Sequence, residues 1–103
     1  MSTISIRNSI EPAMDPLIES RIYVTLGSSL ASVRVLEAVI ESGTSSDLSG
    51  KVVRCDLRAL EQHGKWHLVS SQQYDLTNAL EGALTRLKRS LLRQRKHRNL
   101  GSP

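Results

Sequence analysis

Half of the 14 Lys+Arg in this 103-residue chain lie between positions 86 and 98: Arg86, Lys88, Arg89, Arg93, Arg95, Lys96 and Arg98. No Asp or Glu follows Glu81. Residues 1–81 are formally −3 and residues 82–103 are +7, which together give the overall +4. The chemistry such a cluster performs is anion recognition: guanidinium and ammonium groups neutralise phosphates and release their counterions. A mildly acidic body joined to a strongly basic end points to a polyanionic partner, and nucleic acid is the commonest. A solvated helix face would normally mix charge signs at i±4, and this stretch does not.

Other chemically capable residues give weaker patterns. His63 and His67 have a spacing that suits a metal on a helix, but Gly64 turns the chain between them and no further ligand is placed to complete a site. Cys55 is alone, so no internal disulfide forms, and a reducing cytoplasm is the simplest home. Its place in an alternating strand makes it a small inward hydrophobe rather than a nucleophile. Arg54, Arg58 and Lys65 outline a second basic patch, with Asp56 and Glu61 near enough to neutralise it by cross-strand pairing. No serine-histidine-carboxylate spacing, phosphate-cradling glycine loop or paired catalytic carboxylates emerge, so neither enzyme activity nor a cofactor or metal is expected.

The elements that must position the basic residues follow from the apolar spacing. There is no Phe, one Trp and two Tyr, so the core must be aliphatic. A chain of this length buries roughly 60–70% of its unfolded surface, enough for one modest core. Ile4 and Ile6 alternate with polar neighbours in a first strand. Asp15 and Pro16 read as an N-cap and first helical residue, followed by a stripe of Met14, Ile18, Ile22 and Leu26. Gly27 closes that helix. Val33–Glu41 is a β-branched second strand with imperfect alternation, and residues 41–50 form a Ser/Gly-rich connection. In Lys51–Leu60, Val53, Cys55, Leu57 and Ala59 face one way and Arg54, Asp56 and Arg58 the other. A turn over 61–65 makes a hairpin with Trp66–Ser71.

Asp75 caps the final helix. On a wheel of about 100° per residue, Leu76, Leu80, Ala83, Leu84 and Leu91 fall within about 60° of Leu87. Arg89, Arg93 and Lys96 fall opposite, Arg86 and Lys88 lie on the flanks, and Leu92 is off the stripe. The helix therefore buries one side and offers a basic ridge on the other. The order β-α-β-β-β-α defines an α+β fold, a four-stranded sheet with two helices packed on one face, related to the topology of double-stranded-RNA-binding domains. One domain spans residues 1–98, and 99–103 is a frayed tail. The N-terminus lacks a signal-peptide pattern, and no apolar run approaches the length that spans a bilayer.

Three stretches carry a resemblance. They are the strand–helix opening, Ile4-Ser5-Ile6-Arg7-Asn8 with the helix Asp15–Gly27; the strand Lys51–Leu60 after its Ser/Gly-rich loop; and Tyr74-Asp75-Leu76-Thr77-Asn78-Ala79-Leu80 opening a basic terminal helix. In these the chain resembles the ribosome hibernation-promoting factor and ribosome-associated translation inhibitor family in its short, single-domain form. The resemblance implies the fold above and binding to the small ribosomal subunit, in the channel where messenger and transfer RNA would lie. Translation would be blocked sterically during stress, without chemistry. Carried over to this chain, the ribosomal RNA contacts would be Arg21 of the first helix and Arg86, Lys88, Arg89, Arg93, Arg95, Lys96 and Arg98 of the second. Two departures stand out: Thr77 where the family often has an aromatic, and Arg21 as the single cation of the first helix. The alternative is a protein-interaction module, a homodimer formed through the sheet edge, Trp66 and Leu92.

Overall fold

The computed structural model describes residues 2–43 and 50–101, with side chains through residue 93 of the last helix. Strand β1 (Thr3–Asn8) leads through a 3-10 turn (Pro12–Met14) into α1 (Asp15–Leu26). A second 3-10 segment (Gly27–Ser32) feeds β2 (Val33–Gly43), followed by β3 (Val52–Glu61), β4 (Trp66–Gln73) and α2 (Leu76–Gly101). The sheet order is β1-β2-β3-β4, with β1 parallel to β2 and the other neighbours antiparallel. This is the expected α+β architecture. The backbone of α2 is helical through Gly101; of the tail expected to fray, 102 and 103 lie outside the described residues, as does 44–49 of the Ser/Gly-rich connection.

The core is one cluster. Ile18, Ile22 and Leu26 of α1, Leu36, Ala38 and Ile40 of β2, Cys55, Leu57 and Ala59 of β3, and the leucine stripe of α2 pack together. Met14, Ile4 and Ile6 join it as partly buried members. The irregular alternation of β2 has a structural cause. The register shifts between Val33 and Val35, so Val33 and Leu36, three apart, both reach the core.

The start of α1 differs from expectation. Met14 is the N-cap, without a side-chain cap bond, and Asp15 is already helical with Pro16 second. The 3-10 turn ending at Met14 has advanced the helix by one residue, which takes Asp15 out of the capping position. Its Oδ1 instead accepts a hydrogen bond from Asn8 Nδ2 (3.1 Å), while Asn8 Oδ1 accepts from the main-chain N–H of Ile10 and Glu11. Asn8 thus organises the turn out of β1 as an Asx motif. Gly27 ends α1 at φ +50°, a conformation that side chains with a Cβ rarely adopt.

Helix α2 lies close against β4. At Gly82 an added Cβ would stand 2.5 Å from Ser71 Oγ and 3.3 Å from Ser71 Cβ. Absence of a side chain is what lets helix and strand approach there. In an isolated helix Gly→Ala stabilises by about 1 kcal/mol. Here Gly82→Ala is expected to destabilise by about 1 kcal/mol or more, because overpacking outweighs propensity. Ser71→Ala should recover part of that loss in the double variant. Denaturant titration of the single and double variants checks this, and a more stable Gly82→Ala protein would show that the approach is loose.

Candidate nucleic-acid interface

Helix α2 starts where Asp75 accepts a hydrogen bond from the Asn78 main-chain N–H at Oδ1 (2.8 Å) and from Asn78 Nδ2 at Oδ2 (2.7 Å). A carboxylate at this end also complements the positive pole of the helix. From there Leu76, Ala79, Leu80, Ala83, Leu84, Leu87 and Leu91 are buried, as the wheel predicts, with Ala79 an additional member. Leu92, off the stripe, is exposed.

This seating directs the cations. Lys88, Arg89 and Arg93 are exposed, and none has an ion pair among the described residues. Arg86 is exposed too, but its Nη1 donates to the main-chain carbonyl of Ser70 on the edge strand β4. Arg95, Lys96 and Arg98 continue on the helical backbone, and their side chains lie outside the described residues. At 1.5 Å of rise per residue, the helical backbone from residue 86 to residue 98 extends about 18 Å.

Arg21 has a different environment. It forms an ion pair with Glu81 Oε1, at 2.6 Å from Nε and 2.5 Å from Nη2, which ties α1 to α2. Both side chains are partly exposed, so the pair contributes little stability. It does neutralise the last acid of the chain and the one cation of α1. The outer side of α1 instead exposes Leu17, Tyr23 and Val24. The cationic surface therefore belongs to α2.

The open sheet face holds the two arginines of β3 in compensated pairs. Arg54 Nε meets both carboxylate oxygens of Asp56 at 3.0 Å, and Arg58 Nη1 meets Glu37 Oε2 at 3.4 Å. The Arg58 guanidinium also lies 4.8 Å from the centroid of the Trp66 ring. The Arg58 pair crosses from β3 to β2, whereas Arg54 is neutralised by Asp56 of its own strand. Glu61 is the last residue of β3, on the core side, and 3% exposed.

Glu61 belongs to a buried polar chain that the sequence reading did not assemble. His67 Nε2 lies 2.9 Å from Glu61 Oε1, and His67 Nδ1 lies 2.6 Å from Ser90 Oγ. A carboxylate only accepts, so Nε2–H donates to Glu61, and in the neutral ring Nδ1 accepts from the Ser90 hydroxyl. The chain joins the β3–β4 hairpin to the middle of α2, directly beneath the basic ridge. The signal was present: continuing the alternation of Cys55, Leu57 and Ala59 by one step turns Glu61 inward, where a carboxyl needs a partner.

Cys55 is fully buried, and burial, with a smaller effect from neighbouring Asp56, pushes its thiol up to about 12. Among the described residues no cluster of His, Cys, Asp or Glu is arranged to hold a metal, and no helix is long and apolar enough to cross a membrane.

No protein-family model and no curated protein sequence matches the chain. Among solved structures it is similar to the crystal structure of the N-terminal domain of Protein Y from Thermus thermophilus. The TM-score is 0.63 at 20% identity, over 90% of this chain and 98% of that one. The likeness is one of fold.

Two outcomes are expected. His67→Ala deprives Glu61 and Ser90 of a buried partner and should lower stability by about 2 kcal/mol in denaturant titration; an unchanged midpoint would show that the polar chain does not hold α2. At about pH 8 the folded protein should react with an aromatic disulfide reagent only as fast as it opens, because Cys55 is protonated and enclosed. Rapid stoichiometric modification of the folded chain would contradict this.

Proposed function

We propose that the chain is a ribosome-associated binding protein that docks on small-subunit ribosomal RNA through the outer side of α2. Docked there, it inhibits translation sterically or holds idle ribosomes, without chemistry of its own. The observation that carries this reading is the unpaired state of Lys88, Arg89 and Arg93 on a helix whose opposite side is locked into the core. Like charges at i and i+4, such as Arg89 and Arg93, repel by a few tenths of a kcal/mol. A phosphate backbone relieves that repulsion. The fold likeness to the Protein Y N-terminal domain agrees with the family resemblance at the level of fold.

The contributions of the eight candidate residues differ. Lys88, Arg89 and Arg93 meet phosphates directly, and Arg95, Lys96 and Arg98 follow on the same helix. Arg86 and Arg21 arrive with partners of their own, a main-chain carbonyl and Glu81, so an RNA contact by either must share or displace that partner. With α1 offering no free cation among the described residues, the electrostatic grip is one-sided. Five phosphate contacts correspond to a slope of log K against log salt of about −4 to −5, taking the B-DNA coefficient as a guide.

The test is co-sedimentation with small subunits in sucrose gradients at low and high salt. The parent protein should travel with the subunits at low salt and leave them as salt rises. Replacing Lys88, Arg89 and Arg93 together by Glu should lower the affinity by at least about a hundredfold and flatten the salt slope by about 3. Subunit binding that the triple variant leaves intact, or no binding by the parent at low salt, would overturn the proposal.

A further inference from the structure

The face of the sheet turned away from the helices is unlike the ridge in every electrostatic respect. Strand alternation and register place Arg7, Arg54 and Arg58 on it with Glu37, Glu41 and Asp56, and the exposed Arg34 at the β2 bulge leaves it with a formal charge of only about +1. Between and beside these lie Val35, Val39, Leu60, Trp66 and Leu68. Leu68 is 68% exposed and Trp66 42%, and Val39, Leu57, Leu68 and Val69 contribute to a shallow groove there. A nearly charge-balanced, apolar-rich sheet face is poorly suited to a polyanion and well suited to a protein surface.

The pattern of signs identifies which protein. Two pairs of residues that face one another across β2 and β3 carry opposite charge: Glu37 is in register with Arg58, and Glu41 with Arg54, while Asp56 faces Val39. Val35 likewise faces Leu60. A two-fold axis running along the strands, between β2 and β3, exchanges the two strands. It therefore sets Glu37 and Glu41 each over an arginine of a second copy, and Val35 over Leu60. At these three rows the two central strands are then their own complement, as an isologous contact requires. We propose that the chain forms a homodimer by packing this sheet face against that of a second copy, with the two basic ridges on opposite outer surfaces. At the free edge of β4 the Ser70 carbonyl already accepts from Arg86, so the proposed contact is the sheet face.

The size of the face sets the strength. Four strands spaced about 4.8 Å apart and about eight residues long, at about 3.3 Å each, cover roughly 500 Å² per copy. Both copies together bury roughly 1,000 Å², the lower limit for a specific interface, so the association is weak and reversible.

The sign pattern also supplies the test. Glu37→Arg places arginine over arginine at both symmetry-related positions, and Arg58→Glu places carboxylate over carboxylate. Sedimentation equilibrium up to about 1 mM protein should show dimer for the parent and monomer for each folded single variant. An equimolar mixture of the two variants should dimerise again, because every contact then pairs opposite signs. Trp66, the single tryptophan, gives an independent readout: its emission should shift blue as the parent is concentrated. A parent that stays monomeric to about 1 mM overturns the proposal. So does a mixture that stays monomeric while the parent dimerises, or a Trp66 response to added RNA but not to protein concentration. Leu68→Arg should abolish the dimer and leave subunit co-sedimentation unchanged, whereas the triple reversal at Lys88, Arg89 and Arg93 should do the opposite, so the two proposals fail separately.

Discussion

Everything functional in this chain depends on the burial of one leucine stripe. Leu80, Leu84 and Leu87 are 2% exposed or less, and they lie over the inward residues of β3 and β4 in the single core. Each fully buried leucine contributes about 1.5–3 kcal/mol, while the repulsion between neighbouring like charges on the helix costs a few tenths. Burial wins by a wide margin, so α2 holds its cations at high local density without unfolding. Were that stripe weaker, the same cations would form a solvated tail with no fixed direction.

The consequence is a molecule with two dissimilar surfaces. On the helix side, the last acid, Glu81, is engaged by Arg21, and the exposed cations beyond it are uncompensated among the described residues. On the sheet side every described arginine of β3 already faces a carboxylate, and Arg58 additionally stacks over Trp66. An arginine held in such pairs has lost most of its reach toward phosphate; a lysine or arginine on the ridge has kept it. The same residue type is therefore left free on α2 and held in pairs on β3, and only neighbouring carboxylates distinguish the two.

Much of this was legible in the sequence because period and sign are local properties. The stripe of Ile18, Ile22 and Leu26, the alternation of Val53 through Ala59, and the wheel of α2 each emerge as read, since one buried side leaves little freedom of register. Pairings that depend on distance along the chain were not legible. Arg21 and Glu81 are 60 residues apart, and nothing local to either marks the other. The advance of α1 by one residue arose from a 3-10 turn whose Pro12 could equally have sat in a loop. Glu61 was misplaced for a subtler reason: the turn chemistry at Gly64 drew the hairpin boundary inward and hid the last inward position of β3.

The polar chain of Glu61, His67 and Ser90 explains how the ridge acquires a definite orientation. Apolar contacts are weakly directional, and a stripe of similar leucines can rotate or slip a little along a sheet while keeping most of its buried area. Hydrogen bonds cannot do this: a shift of α2 by a fraction of a turn would separate Ser90 Oγ from His67 Nδ1 and leave buried polar groups unpaired. Gly82 against Ser71 excludes close alternatives from the other end of β4, because any rotation that brings a side chain into that position meets the strand. Leucines supply the adhesion, and the polar chain with the glycine contact selects one azimuth. Since Arg89 and Ser90 are adjacent, the constraint that fixes one on the core side fixes the direction in which the other projects.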